Sequence, residues 1–216
     1  MKTTVIIPVY NEITTIKTIV EKILNLKDLD IQIIIVDDFS TDGTRKIIEN
    51  ELNNKIDKLI LHSENLGKGA AINSAKKFIE GDIVIIQDAD LEYDPNDYYK
   101  LIQPIINKTH KVVYGSRVLN INRYKDNNFT SNIRVFANHM LTILSNLINN
   151  QKLTDAHTCY KAFDSRLFKD IELKEYGFSF CPEITTKISN LKIEILEIKI
   201  SYKGRSFKEG KKITIK

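Results

Sequence analysis

The sequence predicts an α/β domain in which a mostly parallel, doubly wound sheet is flanked by helices. Short apolar runs alternate with segments of helical periodicity through the first half of the chain, which indicates consecutive strand–helix units with right-handed crossovers. The apolar run Ile83–Ile86 is followed by a row of carboxylates and then by Asp94-Pro95, which is typical of a buried strand that ends in an acidic loop. With 216 residues, 42% of them hydrophobic, the chain is long enough for one such domain with a proper core.

Four strands are predicted in this part of the chain, and each is followed by a polar loop and a helix. The loop after the first strand spans residues 8–12, and the loop after the second runs from Asp37 to Thr44. Because the carboxyl ends of parallel strands lie at one edge of a sheet, where open α/β folds bind ligands, we expect these loops to meet there. The predicted strands are Thr3–Val9, Ile31–Val36, Leu59–Leu61 and Ile83–Ile86.

A glycine-rich turn, Gly67-Lys68-Gly69, precedes the helix after the third strand. It matches neither the GxGxxG motif of dinucleotide-binding folds nor a Walker loop, which argues against a dehydrogenase or a P-loop ATPase. The turn is either a tight connection between strand and helix or a place where Lys68 and helix amides lie near a phosphate.

The acidic loop is the main candidate for a metal site. Asp88 and Asp90 are two residues apart at the carboxyl end of a strand, so both carboxylates can turn toward one divalent cation that carries phosphates. The alternative is a solvated acidic turn, because Asp-x-Asp triplets are common.

The second half of the chain contributes basic and apolar segments. A fifth strand leads into Arg117, and a helical stripe over Ser131–Ile148 is either a core helix or an amphipathic surface that touches a bilayer or a lipid acceptor. A strand near Ile193–Ile200 leads into a basic tail, Tyr202–Lys212, which is either a solvated terminus or a flap over phosphates. We expect the polar residues 120–128 to form a mobile loop.

Composition restricts the partners and the compartment. The formal net charge of +4 comes from 32 basic and 28 acidic residues, a mixed surface that argues against a nucleic-acid partner. Two cysteines, Cys159 and Cys181, fit buried thiols in a reducing compartment. The N-terminus is strand-like rather than a signal peptide, and no apolar run approaches ~18 residues. We therefore expect a cytoplasmic protein, either soluble or peripheral at the cytoplasmic face of a membrane.

Six motifs occur in order along the chain: Pro8–Glu12, Asp37–Thr44, Leu66–Ala70, Asp88-Ala89-Asp90, Gly115-Ser116-Arg117 and Thr154-Asp155. Together they resemble glycosyltransferase family 2. Within that family the chain most resembles the catalytic domain of the dolichyl- or polyprenyl-phosphate mannosyl- and glucosyltransferases. The resemblance implies a GT-A, Rossmann-like fold and an inverting transfer of a hexose from a UDP- or GDP-sugar, dependent on Mg2+ or Mn2+. It also implies one domain over residues 1–216, in which residues 1–117 bind the donor and residues 118–216 the acceptor.

The resemblance also implies roles for individual residues. The residues that would hold base and ribose are Pro8, Tyr10, Glu12, Val36 and Asp38. Those at the diphosphate would be Asp88, Ala89 and Asp90, with Asp90 and Glu92 as the metal ligands. Lys68 of the glycine-rich turn is predicted to bind the donor as well. Those at the acceptor phosphate would be Arg117, Arg134, Asn138 and Arg205. The chain departs from the family at two of these positions, since relatives often have Gln in place of Glu92 and usually Ser in place of Asn138.

The nature of the acceptor decides whether a general base is needed. A polyprenyl phosphate is already anionic at neutral pH, so arginines need only position it. A saccharide hydroxyl in glycan synthesis must lose a proton to a carboxylate, for which Asp155 is the first candidate and Glu183 the second. The predicted catalytic residues are accordingly Asp90, Arg117 and Asp155, and the arginines favour the phosphate acceptor.

Two other classes of function fit the sequence less well. A sugar nucleotidyltransferase would also bind a nucleotide and a metal at a sheet edge, but it should carry a glycine- and arginine-rich loop near the N-terminus, which residues 10–12 do not provide. A non-catalytic binding module should have a broken acidic loop or lack Arg117, and neither is the case.

Overall fold

The computed structural model describes residues 1–120 and 129–205, and in the helix that begins at Phe129 it describes side chains from Val135 onward. Seven strands lie within these residues: β1 (Lys2–Val9), β2 (Asp30–Asp37), β3 (Lys58–Leu61), β4 (Ile83–Ile86), β5 (Val112–Ser116), β6 (Lys161–Asp164) and β7 (Leu196–Lys199). They form one sheet in the order β3-β2-β1-β4-β6-β5-β7. The first four strands are mutually parallel, and β7 is parallel to β5. The prediction of a mostly parallel sheet flanked by helices is confirmed.

One strand, β6, was not predicted, and it is antiparallel to both of its neighbours, β4 and β5. Its four residues begin with a lysine and end with an aspartate, so they lack the apolar run that identified β1, β2 and β4. Lys161 is nonetheless fully buried. Its Nζ donates a hydrogen bond to the Ala156 carbonyl at 3.2 Å and lies 3.3 Å from the centre of the Tyr114 ring. These two contacts accommodate a cation inside the sheet.

In the described part of the chain, seven α-helices connect or follow the strands. The helix predicted after β2 is α-helical only at its start and continues as a π-helical turn, Ile48–Leu52. The helices are α1 (Ile16–Leu24), α2 (Thr44–Ile47), α3 (Lys68–Ala75), α4 (Tyr98–Ile106), α5 (Phe129–Asn149), α6 (Ser165–Asp170) and α7 (Phe180–Asn190). The segment predicted as a mobile loop lies outside the described residues from position 121 onward, and so does the basic tail beyond Arg205.

The core has two halves, one on each face of the sheet. Alternate residues of β1 point in opposite directions, so that Val5 and Ile7 pack with α1 and α4, while Ile6 packs with α3 and α7. Because both faces are covered, the central strands are buried along nearly their whole length.

Helix α5 lies apart from this core. It packs beside α7, where the Ser189 hydroxyl donates a hydrogen bond to the Asn149 carbonyl. Its apolar stripe faces outward, which contradicts the interpretation as an ordinary core helix and favours the amphipathic one. The stripe comprises Phe136, Met140, Leu141, Ile143, Leu144, Leu147 and Ile148, whose side chains are 41–77% exposed. Within residues 1–120 and 129–205, no helix is both long enough and apolar enough to span a bilayer.

The reversed direction of β6 decides which loops share the active edge. Lys161, the first residue of β6, pairs with Ile86, the last residue of β4. The segment just before β6, which includes Asp155, therefore lies at the same edge of the sheet as the acidic loop after β4.

Candidate active site

The loops after β1 and β2 meet at the carboxyl edge of the sheet and hold each other in place. The Asn11 N–H donates to the Ser40 hydroxyl at 2.9 Å, and the Glu12 N–H donates to the Thr44 hydroxyl at 2.8 Å. These contacts fix the backbone of Glu12, whose carboxylate is directed toward the acidic loop after β4.

Arg205 joins Glu12 to that acidic loop. Its Nη1 and Nη2 donate to the two carboxylate oxygens of Glu12 at 2.9 and 3.1 Å, and Nη2 also lies 3.3 Å from Asp90 Oδ2. All three side chains are less than a fifth exposed, so this bidentate, charge-assisted contact is stronger than an ordinary surface ion pair. The sequence led us to expect Arg205 at the acceptor phosphate, whereas in the structure its guanidinium contacts two carboxylates predicted for the donor side.

Residues 202–205, which we call the C-terminal clasp, also hold Glu92. The Tyr202 hydroxyl donates to Glu92 Oε2 and the Arg205 N–H to Glu92 Oε1, both at 2.8 Å. The Lys203 N–H donates to the Glu92 carbonyl at 2.9 Å, and Tyr202 pairs with Tyr93 through a β-bridge. Both predicted metal ligands, Asp90 and Glu92, therefore contact the clasp.

The acidic loop concentrates negative charge. Burial, together with the neighbouring carboxylates of Asp88 and Glu92, raises the pKa of Asp90 to about 7. Asp88 forms an ion pair with Lys68. Burial opposes the charge of Lys68, but the Asp88 carboxylate outweighs it and raises the pKa of this lysine well above its usual value. In the part of the chain that the structure describes, no group of three or more His, Cys, Asp or Glu side chains is arranged to hold a metal ion.

Asp38 positions the glycine-rich turn. Its carboxylate accepts hydrogen bonds from the N–H groups of Leu66 at 2.9 Å and Gly67 at 2.7 Å, and its Oδ1 lies 2.7 Å from His62 Nδ1. Gly67 has φ = 94°, and a Cβ there would lie 2.5 Å from the Tyr176 carbonyl oxygen, so only glycine fits. The turn is thus a tight connection that also places Lys68 at the acidic loop, and any contact of Asp38 with a base or ribose is additional to this structural role.

Four other residues predicted for the donor differ in how accessible they are. Tyr10 is 38% exposed and Pro8 is half-buried. Val36 is fully buried and Ala89 is 3% exposed, and both pack in the core. A donor contact from Val36 or Ala89 would therefore involve the main chain.

Arg117 and Asp155 form a buried, bidentate ion pair beside the clasp. Asp155 Oδ2 accepts from Arg117 Nε at 2.7 Å and from the Arg117 N–H at 3.1 Å, while Oδ1 accepts from Nη2 at 2.8 Å. The Glu197 carboxylate accepts the N–H groups of Thr154 and Asp155 at 2.6 and 2.8 Å, which fixes the backbone of this loop. The Arg117 guanidinium also lies 5.3 Å from the centre of the Tyr202 ring.

The two carboxylates considered as general bases both accept several hydrogen bonds. Burial opposes the ionisation of Asp155, but the hydrogen bonds and charge of Arg117 outweigh it and lower the pKa of Asp155. Glu183 accepts the N–H groups of residues 174 and 175 and a bond from Lys187. These bonds also outweigh burial and lower the pKa of Glu183. A carboxylate with a lowered pKa is a weak proton acceptor.

The four residues predicted for the acceptor phosphate are brought together only in part. The Arg117 guanidinium lies over the ring of Tyr202, a clasp residue, whereas the guanidinium of Arg205 in the same clasp contacts Glu12 and Asp90. Asn138 is exposed on α5, and the side chain of Arg134 lies outside the described residues. The convergence of three arginines on one phosphate stays a prediction.

Three residues of the site were missed from the sequence: His62, Glu197 and Tyr202. Each acts through a partner that is far away in the chain, and none belongs to a motif. The position of Tyr202 at the start of the basic tail was the one available signal.

The amino-acid sequence of this chain is similar to those of known proteins. The family model of glycosyl transferase family 2 matches residues 4–172. A UDP-N-acetylglucosamine–dolichyl-phosphate N-acetylglucosaminyltransferase of Methanococcus voltae is 34% identical, over 97% of this chain and 90% of that protein. A dolichol-phosphate mannosyltransferase of Pyrococcus furiosus is 28% identical over 99% of this chain, which spans 61% of that protein's length.

Solved structures share the fold at lower identity. A glucosyl-3-phosphoglycerate synthase of Mycobacterium tuberculosis, solved with Mg2+ and UDP, superposes with a TM-score of 0.71 at 18% identity, covering 96% of this chain and 73% of that one. A mannosyltransferase of Pyrobaculum calidifontis, solved with GDP-mannose and Mn2+, gives 0.66 at 21% identity, covering 92% of this chain and 55% of that one. Both likenesses establish the GT-A fold.

Proposed function

This chain belongs to glycosyltransferase family 2, and we propose that it transfers a hexose from a UDP- or GDP-sugar to a polyprenyl phosphate, with inversion at the anomeric carbon. The observation that carries the proposal is that one side chain, Tyr202, touches two oppositely charged groups at one edge of the sheet. The carboxylates of Asp90 and Glu92 suit the donor side, and the buried guanidinium of Arg117 suits an anionic acceptor. Tyr202 touches both groups. The two dolichyl-phosphate transferases similar to this chain support the same acceptor.

A divalent cation, Mg2+ or Mn2+, fits the donor side. Asp90 and Glu92 would supply two hard oxygen ligands, and diphosphate oxygens the others, which is the usual way in which Mg2+ is bound beside phosphates. The Arg205 guanidinium already lies within hydrogen-bonding distance of Glu12 and Asp90, so a positive group is accommodated there. When bound, the cation would stabilise the negative charge that develops on the leaving diphosphate. Lys68, placed by the glycine-rich turn, adds a positive charge beside the same loop.

The lowered pKa values of the two candidate bases, Asp155 and Glu183, favour a phosphate acceptor over a hydroxyl. A polyprenyl phosphate attacks with an oxygen that is already negative, so the protein has to position it but need not remove a proton. Asp155 fixes Arg117 in one orientation, and a guanidinium held in this way can present its remaining donors to phosphate oxygens. A saccharide hydroxyl would need Asp155 or Glu183 as a base, and the lowered pKa of each makes this less favourable.

The exposed stripe of α5 supports a membrane-bound acceptor. Leu144 and Leu147 are 53% and 77% exposed and lie one turn apart on the same side of the helix. The segment 135–149 contains no Asp or Glu, so it has no negative charge to repel anionic lipid headgroups. An amphipathic helix of this kind binds in the plane of the interface, which would bring the protein to the membrane face where a polyprenyl phosphate is anchored.

The proposal is tested by assaying the purified chain with labelled UDP- and GDP-sugars, Mn2+ and two acceptors, a short polyprenyl phosphate and a neutral sugar. We expect transfer to the phosphate, loss of transfer with EDTA, and a fall of about 100-fold or more in kcat/KM for Asp90→Asn. Asp30→Asn is the matched control, because Asp30 is an exposed carboxylate at the start of β2, the opposite end of the strands. Efficient transfer to the neutral sugar with none to the phosphate would contradict the proposal.

The same assay has a membrane arm. With the acceptor in anionic vesicles, the double change Leu144→Ser and Leu147→Ser should lower the rate, whereas in detergent the rate should equal that of the unchanged protein. An equal rate in both settings would remove α5 from the proposal.

A further inference from the structure

The C-terminal clasp contacts three carboxylates on the proposed donor side, those of Glu12, Asp90 and Glu92. Both oxygens of Glu92 accept hydrogen bonds from Tyr202 and Arg205. Both oxygens of Glu12 accept from the Arg205 guanidinium, which also reaches Asp90. One four-residue segment thus contacts three carboxylates that come from two separate loops.

Among the described residues, the guanidinium of Arg205 is a positive group placed between Glu12 and Asp90. Glu12, Asp90 and Glu92 carry like charges in a mostly buried place, which is costly unless a cation lies among them. An arginine cannot lose its proton under ordinary conditions, so it leaves these carboxylates only by moving away. The backbone contacts of the clasp to Glu92 indicate that such a movement would involve residues 202–205 together.

We propose that the Arg205 guanidinium and the divalent cation compete for the Asp90 carboxylate, so that the clasp, which also holds Glu92 through Tyr202 and the Arg205 N–H, must release both carboxylates before the metal binds. The inference rests on the proposed function, in which Asp90 and Glu92 hold the cation. Arg205 is then a positioning residue: it keeps the carboxylates in place in the free protein and gives them up to the metal.

The diphosphate of the donor compensates Arg205 for the carboxylate contacts that it loses to the metal. A nucleoside diphosphate brings phosphate oxygens that match the planar fork of a guanidinium, so the displaced Arg205 gains a new bidentate partner. Metal alone must displace Arg205 without that compensation. Metal and nucleotide therefore bind cooperatively, and each increases the affinity of the other by the same factor.

The test measures Mn2+ binding to the nucleotide-free protein by electron paramagnetic resonance. Arg205→Ala should bind Mn2+ about tenfold more tightly than the unchanged protein, because the competing cation is gone, and UDP or GDP should then increase Mn2+ affinity by a smaller factor. Arg205→Lys, which keeps the charge but loses the fork, should lie between the two. Lys203→Ala is the matched control: it removes one positive charge from an exposed side chain of the same segment and should change the affinity by less than about twofold.

The outcomes separate this inference from the proposed function. If Arg205→Ala binds Mn2+ no more tightly than the unchanged protein, the inference is overturned while the proposed function stands. If neither protein binds Mn2+, with UDP or GDP present or absent, both the inference and the metal site are overturned. If Arg205→Ala binds Mn2+ more tightly but no sugar is transferred in the assay above, the inference holds and the proposed function fails.

Discussion

The proposed donor side and the proposed acceptor side of the sheet edge each contain an arginine that binds a carboxylate, yet the two pairs are built differently. Arg117 follows β5 directly, and Asp155 lies in a loop whose backbone is fixed by Glu197. Arg205 reaches Glu12 and Asp90 from a short segment that follows β7, and that segment is held mainly by the acidic loop itself. Both pairs are mostly buried, but the first is embedded between a strand end and a fixed loop, whereas the second joins the short clasp to two loops.

Under the proposal above, one edge of the sheet combines a contact that persists with a contact that is exchanged for a metal. Breaking the pair of Arg117 and Asp155 would leave a buried charge without a partner, so the pair is expected to persist through the reaction. Breaking the contact of Arg205 frees carboxylates that a metal can use. We therefore expect the acceptor side to be rigid and the donor side to rearrange.

The largest change in the free energy of unfolding is expected when the pair of Arg117 and Asp155 is broken. Asp155→Asn should lower the free energy of unfolding by about 3 kcal/mol, measured by urea denaturation at pH 7, because it leaves the Arg117 guanidinium buried and uncompensated. The pKa of Asp155 is lowered in the folded protein, so its stabilisation is present above the unfolded-state pKa of about 3.9 and is lost as pH falls through the folded value. The gap between the two proteins should accordingly shrink below about pH 4. Equal stability at pH 7 would mean that the pair is not embedded as described.

A smaller change in the free energy of unfolding, of opposite sign, is expected when Asp90 is replaced by Asn. Its pKa is raised to about 7 in the folded protein, so ionising it costs stability that is absent below the unfolded-state pKa and fully felt above pH 7. Without metal, Asp90→Asn should therefore raise the unfolding free energy at pH 8 by about 1 kcal/mol, or about 2–4 °C in Tm. The gain should fade as pH drops toward 4. A gain that did not depend on pH would assign the effect to packing instead of charge.

The smallest change in the free energy of unfolding is expected when the contact of Arg205 with Glu12 and Asp90 is removed. Arg205→Ala should lower the unfolding free energy by only about 1 kcal/mol although the contact is mostly buried, because the Asp90 carboxylate that it leaves can take up a proton, whereas a guanidinium left without its carboxylate cannot lose its charge. The measurement is thermal unfolding with and without Mn2+ and UDP or GDP. A loss as large as that of Asp155→Asn would make the two pairs equivalent and remove the contrast between them.

The sequence was informative where chemistry is local and uninformative where it depends on distant pairs. The apolar run before Asp88 and the helical stripe of α5 predicted a strand and a helix at the right places, because periodicity is set by near neighbours. Strand β6 was missed because a buried lysine begins it, and its burial depends on Tyr114 and Ala156, which no local pattern identifies. The partners of Arg205 and Asp155 could not be predicted for the same reason.

The position of β6 also sets the order in which the molecule can assemble. Strand β4 lies between β1 and β6, but β6 is synthesised long after β4 has left the ribosome, and β5 and α5 come in between. Until Lys161–Asp164 arrive, the apolar strand β4 is an open edge, the kind of surface on which nascent chains associate wrongly. Pairings between residues so far apart in the chain also slow folding. The acidic loop at the end of β4 is therefore flanked by its final neighbours only late in the folding of a newly made chain.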